Sequence, residues 1–109
     1  MRILAHFTFI SALFLLSSCT DLSSGPELAW VAKLFVGGRQ CDTSSHYTPP
    51  NVEKILNDAG ISVYGITVEP YGVCAACGCP QYAAMHYALI GKQDLARAMQ
   101  LDFQQKNPP

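Results

Sequence analysis

Apolar and polar positions divide the chain into an unbroken apolar run followed by several patterned segments. From Ile3 to Leu16 eleven of fourteen positions are apolar, preceded by Met1 and Arg2 and closed by Ser17-Ser18. The next apolar stretch, Ala29-Trp-Val-Ala-Lys-Leu-Phe-Val36, is rich in strand formers and stops at Gly37-Gly38. It predicts a strand, buried along most of its length, that ends in a turn. A polar loop with Arg39, Cys41 and His46 leads to Thr48-Pro49-Pro50, which offers an N-cap with proline in the first turn of a helix. Val52, Ile55, Leu56 and Ala59 recur at i, i+3, i+4 and i+7, one apolar stripe, and Gly60 stands where the helix should be capped.

Ile61 to Val68 reads as a second strand, with Gly65 marking a bulge or a close backbone approach. Between Tyr82 and Ile90 the alanines favour helix, whereas Tyr82, Ala84, His86, Ala88 and Ile90 alternate with Ala83, Met85, Tyr87 and Leu89. The alternation predicts a strand hairpinned onto the second one. Asp94 then caps a last helix with Leu95, Ala98, Met99 and Phe103 on its apolar face, before the closing Asn107-Pro-Pro. The order β-α-β-β-α predicts an α+β domain: a sheet of about three strands with two helices, its first two strands parallel neighbours. Their C-terminal ends then share one edge, which gathers Cys41, Cys74, Cys77 and Cys79 at one end of the sheet.

Composition sets the scale. The chain has 109 residues, half of them apolar and 14 % charged, enough for one small domain. A formal charge of -1 without any basic run leaves no electrostatic footprint for phosphates, so nucleic acid is not an expected partner.

The amino terminus has the layout of a secretory signal peptide: a positive start, an apolar run, then small residues. The run is too short for a transmembrane helix, which needs roughly 20 apolar residues. The quartet Leu16-Ser17-Ser18-Cys19 at its end resembles the lipobox of bacterial lipoproteins. That resemblance covers residues 1–19 and implies cleavage between Ser18 and Cys19, with the Cys19 thiol taking a diacylglyceryl group. Further acylation of the new amino terminus is implied too, and two or three chains anchor a protein stably at about 0.8 kcal/mol per buried methylene. The expected organisation is a cleaved signal peptide (1–18), a lipidated tether (19–27) and a small cysteine-stapled domain (28–105). The membrane is then a partner through the lipid. In the same family an Asp directly after the cysteine holds Gram-negative lipoproteins in the inner membrane. Here Thr20 follows and Asp21 comes one later, which favours the periplasmic side of the outer membrane if the organism is Gram-negative.

A domain of about 80 residues buries a modest fraction of its surface and gains much from covalent or metal staples. Four cysteines in an exported domain predict two disulfides. Pairing Cys77 with Cys79 would force a strained small ring. That leaves Cys41–Cys77 with Cys74–Cys79, or Cys41–Cys79 with Cys74–Cys77. Alternatively the four thiolates form a site for zinc, copper or an iron-sulfur cluster, with His46 as a possible further ligand. A third reading makes Cys74-x-x-Cys77 a redox pair. His86, in an apolar segment, reads as a satisfied core histidine. Arg39, Asp42 and Glu69 are placed near the cysteine end, and Tyr64, Tyr71, Tyr82 and Tyr87 flank the cysteine segment as sheet packing or a contact surface. The sequence holds no phosphate loop, nucleophile elbow or acid pair, so catalysis finds little support, and the expected role is an accessory or binding module of the cell envelope with an envelope protein as possible partner. A metal-binding lipoprotein is the first alternative and an envelope thiol-disulfide redox protein the second.

Overall fold

A computed structural model describes residues 27–109. The signal segment, the lipobox with Ser18 and Cys19, and all but the last residue of the tether lie outside the described residues. The elements are β1 (Leu28–Gly37), α1 (Val52–Asp58), β2 (Val63–Pro70), β3 (Tyr82–Gly91), a 3-10 turn (Lys92–Asp94), α2 (Leu95–Gln100) and β4 (Gln104–Lys106). They form one four-stranded sheet in the order β2-β3-β1-β4, with every neighbouring pair antiparallel. The class is α+β, with four strands where the sequence predicted about three.

Two expectations are corrected here. β1 and β2 run parallel but are not neighbours, because β3 lies between them and pairs with both, over ten residues with β1. This is the connectivity of the split β-α-β, or ferredoxin-like, architecture. The fourth strand, Gln104–Lys106, is a polar edge strand held to Trp30–Ala32 by backbone pairing. No apolar alternation announces it.

The helices cover one face. Val31 and Phe35 of β1 and Ala88 and Ile90 of β3 meet Val52 and Leu56 of α1, Ala98 of α2, and Ile61 and Phe103 from the segments after each helix. α1 begins three residues later than the Thr48-Pro49-Pro50 signal suggests: Asn51, not Thr48, is the N-cap, its side chain accepting from the Lys54 amide at 3.1 Å. Its C-terminus closes as the sequence predicts. Gly60 takes φ +79, its amide bonds Asn57 O at 2.9 Å, and the Ile61 amide bonds Leu56 O at 2.9 Å. This is a Schellman motif, with buried Ile61 packed into the same cluster as Leu56.

The end of α2 repeats the device without a glycine. The Asp102 amide bonds Met99 O at 3.0 Å, the Phe103 amide bonds Ala98 O at 3.1 Å, and Asp102 sits at φ 67. Phe103 therefore belongs to the cap, not to the helix face predicted for it, and Met99 is half exposed. A side chain in the left-handed region is strained relative to glycine. Asp102→Gly is expected to stabilise the domain by about 0.5–1 kcal/mol, visible as a raised urea midpoint with an unchanged slope.

β1 does not fit the expectation that most of it is buried. Its second face, Leu28, Trp30, Ala32, Leu34 and Val36, shares the uncovered side of the sheet with Ala83, Met85, Tyr87 and Leu89 of β3. Leu34 and Val36 are 47 % and 52 % exposed. Of the two roles predicted for Gly65 the structure shows the bulge: the register slips between Val63 and Gly65, whereas a Cβ there would meet Leu89 and the Trp30 ring only at ordinary van der Waals distance.

Candidate functional site

Two features stand out: the cysteine-bearing end of the sheet and its uncovered face. At the first, β1 delivers Cys41, β2 delivers Cys74, and the segment entering β3 delivers Cys77 and Cys79. All four cysteines are paired. Cys41 joins Cys77 across 36 residues with Cα atoms 4.7 Å apart, and Cys74 joins Cys79 across five residues at 5.5 Å. Of the two connectivities left open by spacing, the structure adopts this one, and Cys74 and Cys77 are not joined to each other. Cys79 is buried, while Cys41, Cys74 and Cys77 are exposed.

Backbone and amide bonds explain why the loops meet. The Gln40 amide donates to Cys79 O at 3.0 Å, and the Gln81 amide donates to Gly37 O at 3.1 Å, extending the β1–β3 ladder past its end. The Gln81 side chain then organises the whole loop after β1. Its Nε2 donates to the carbonyls of Arg39, Asp42 and Ser45 at 2.7, 3.0 and 3.2 Å, while its Oε1 accepts from the Tyr47 amide at 3.0 Å. Gly38, at φ +75, gives Gln81 the room: a Cβ there would collide with its side chain. Sequence reasoning missed Gln81, since a lone glutamine after a proline carries no periodic or motif signal.

The other residues placed near the cysteines take distinct positions. Asp42 accepts from the hydroxyl and amide of Ser44 and the hydroxyl of Ser45, bonds that hold its carboxyl below the usual carboxylate range. His46 is exposed. Among the described residues no three His, Cys, Asp or Glu side chains gather as a metal-binding group. Glu69 lies on the uncovered face, diagonal to Tyr87. Burial, the Glu69 carboxylate and Tyr71 together push the Tyr87 phenol above its ordinary value.

His86 is a buried histidine with a partner. Its Nε2 lies 2.6 Å from the Tyr82 hydroxyl, Phe35 meets its ring edge-on at 4.8 Å, and Tyr47 covers Tyr82 at 5.5 Å. Burial pushes its pKa below the ordinary 6.5. The unfolded chain therefore binds this proton more readily than the folded one, and stability rises with pH through that window. It is complete above about 6.5 and lost as pH falls below that value, with a slope of at most about 1.4 kcal/mol per pH unit for one group. Thermal melts between pH 7.5 and 5 should show this, and His86→Gln should remove that part of the slope.

The uncovered face is an apolar centre with a polar margin. Trp30 and Tyr87 meet edge-on at 6.5 Å, with Leu34, Met85 and Leu89 beside them. The edge strands contribute Thr67 and Glu69 on one side and Gln104 and Lys106 on the other. Of the tyrosines, Tyr82 packs under Tyr47, Tyr87 lies on this face, and Tyr64 and Tyr71 are exposed. Among the described residues no helix is long and apolar enough to cross a membrane. Compared with protein-family models, with characterised proteins and with solved structures, the chain finds no match.

Proposed function

We propose that this chain is a lipid-anchored lipoprotein of the bacterial cell envelope whose domain serves as an accessory or binding module. The observation that carries the reading is Leu16-Ser17-Ser18-Cys19 at the end of an apolar run led by Arg2, which resembles a lipobox. The pairing of the remaining four cysteines supports it, because two disulfides suit a domain exported beyond the reducing cytoplasm. Cys19 is then left as the one thiol to carry lipid. In a Gram-negative organism the favoured site is the periplasmic face of the outer membrane, since Thr20 rather than an aspartate follows the lipidated residue.

In this role the domain contributes a rigid surface and no chemistry of its own. The staples hold the Tyr71–Gly78 loop against the rest of the domain, and the uncovered face offers aromatic and aliphatic contact area of the kind protein interfaces use. A thiophilic metal site needs free thiolates at the positions that are joined here, and a Cys74–Cys77 redox pair needs a bond between two cysteines that here pair elsewhere.

The anchoring step has a sharp test. Expressed as the full chain in a bacterium, Cys19→Ser should accumulate as an unprocessed, unlipidated precursor, whereas the unaltered chain matures with an acyl mass increment. Normal cleavage and acylation of the variant would overturn the reading.

A further inference from the structure

The apolar pattern of the two central strands asks for a second cover. Sheets with one solvated face show clean apolar-polar alternation, whereas strands covered on both sides read as nearly continuous apolar runs. β1 and β3 are of the second kind: LAWVAKLFVG and YAAMHYALIG carry apolar residues on both faces, yet the helices cover one. On the other, Leu28, Leu34 and Val36 stand 37 %, 47 % and 52 % exposed.

We infer that this face stacks against the same face of a second copy of the chain. Two observations point to that occupant, and a third sets how strongly it is held. The first is charge. Glu69 lies on edge strand β2 in the row of Met85 and Leu34; Lys106 lies on edge strand β4 in the row of Trp30. The two charges thus occupy diagonal corners of the face, with the Ala32–Tyr87 pair midway. A two-fold axis through that midpoint, perpendicular to the line joining them, sets each Glu69 over the other copy's Lys106. Such an isologous contact closes on itself as a dimer. A bilayer surface is a poorer match, because the face has no basic excess and Glu69 would meet anionic headgroups.

The second is shape. Ala32, with Leu34 and Met85 on one side and Asp102, Gln104 and Lys106 on the other, floors a shallow depression of about 280 Å³ on the β4 side of the face, which Lys33 also lines. A large side chain from the facing copy fits there, while its own Leu34 and Met85 flank the opposite one. The third is size. Strands of ten residues, about 3.3 Å apart along the chain and about 4.8 Å apart across the sheet, give a footprint on the order of 500 Å². Because the axis lies about 45° from the strands, the two sheets cross nearly at right angles and overlap over a square roughly 19 Å on a side, so the pair buries on the order of 700 Å², the scale of a weak contact. A modest, reversible dimer is expected, with the apolar centre and polar margin that protein interfaces share.

The test places a photo-reactive phenylalanine analogue at Leu34 of the full chain, expressed in a bacterium and illuminated in intact cells. The expected product is a species of twice the chain mass, with peptides of this chain on both sides of the link. In the same assay read from Val36, Leu34→Asp should cut the dimer yield at least tenfold, because it buries an unpaired charge at the centre. Glu69→Lys or Lys106→Glu alone should each lower the yield several-fold, and the double exchange should restore it. Products that link Leu34 to a different protein, to lipid or to the chain's own amino-terminal segment, or no product at all, would overturn the proposal. So would a dimer indifferent to both charge reversals. Failure here leaves the anchoring test at Cys19 unaffected, so the two readings are separable.

Discussion

A Cys41→Ser/Cys77→Ser double variant should lose about 4 kcal/mol of stability. The bridge closes a separation of 36 residues, and restricting the unfolded chain to that extent is worth about 4 kcal/mol in the chain-entropy treatment. Cys74–Cys79 spans five residues, for which the same relation gives about 2 kcal/mol. Domains of about 80 residues have on the order of 4–12 kcal/mol in total. The first bridge is thus a large share of the whole, and its loss should lower the melting temperature by roughly 15–30 °C. Cys74→Ser/Cys79→Ser should cost about half as much. Circular-dichroism melts of the four-cysteine protein and the two double variants check the order. Equal effects, or none for Cys41/Cys77, would contradict the staple reading.

Phe103→Ala should be comparably severe. Phe103 is the largest fully buried side chain, 1 % exposed, and it packs with Val31 and Ala98 under the start of the edge strand. Lys33 Nζ lies 5.8 Å from its ring while donating to Leu101 O at 3.1 Å, so the same aromatic supports the carbonyl end of α2. Truncation leaves a cavity and is expected to cost about 3–5 kcal/mol. Phe103→Leu keeps most of the volume and should cost less than about 1.5 kcal/mol. Urea titrations of both variants measure the difference. Because Phe103 also fixes where the chain turns into β4, amide exchange at Gln104–Lys106 should rise sharply in Phe103→Ala and little in Phe103→Leu.

These two sites show what could be read in the chain beforehand and what could not. Local patterns located three strands and both helices, because apolar spacing and Gly60 are properties of a few consecutive residues. β4 escaped because Gln104-Gln105-Lys106 contributes backbone alone; a short, lysine-bearing strand is how a sheet edge avoids further pairing. Phe103 was recognised as apolar but assigned to the helix face, since its spacing from Ala98 and Met99 cannot reveal that Asp102 turns left-handed first. Strand order was beyond local reach as well. Alternation in Tyr82–Gly91 says that a strand exists, whereas its insertion between β1 and β2 follows from tertiary pairing.

The cysteine end was legible as a place but not as a wiring. Strand ends alone bring Cys41 near the Cys74–Cys79 run, and spacing left two connectivities. The structure takes Cys41–Cys77 with Cys74–Cys79, with Cys79 buried and Cys77 in the exposed loop that meets Cys41, a choice made by tertiary packing that spacing does not carry. The uncovered face was hidden for a different reason. A run such as Trp-Val-Ala-Lys-Leu-Phe-Val looks buried on both sides from sequence, and the fold supplies a cover for one.

The most direct test of the account is an intact-mass measurement on the full chain expressed in a bacterium, extracted from its membranes and kept free of reductant and chelator. The account predicts a chain that starts at Cys19 and carries an acyl increment. The remaining polypeptide should be four hydrogens lighter than its reduced form, with no metal adduct. A chain that retains residues 1–18, or one with four free thiols around a bound ion, would contradict it.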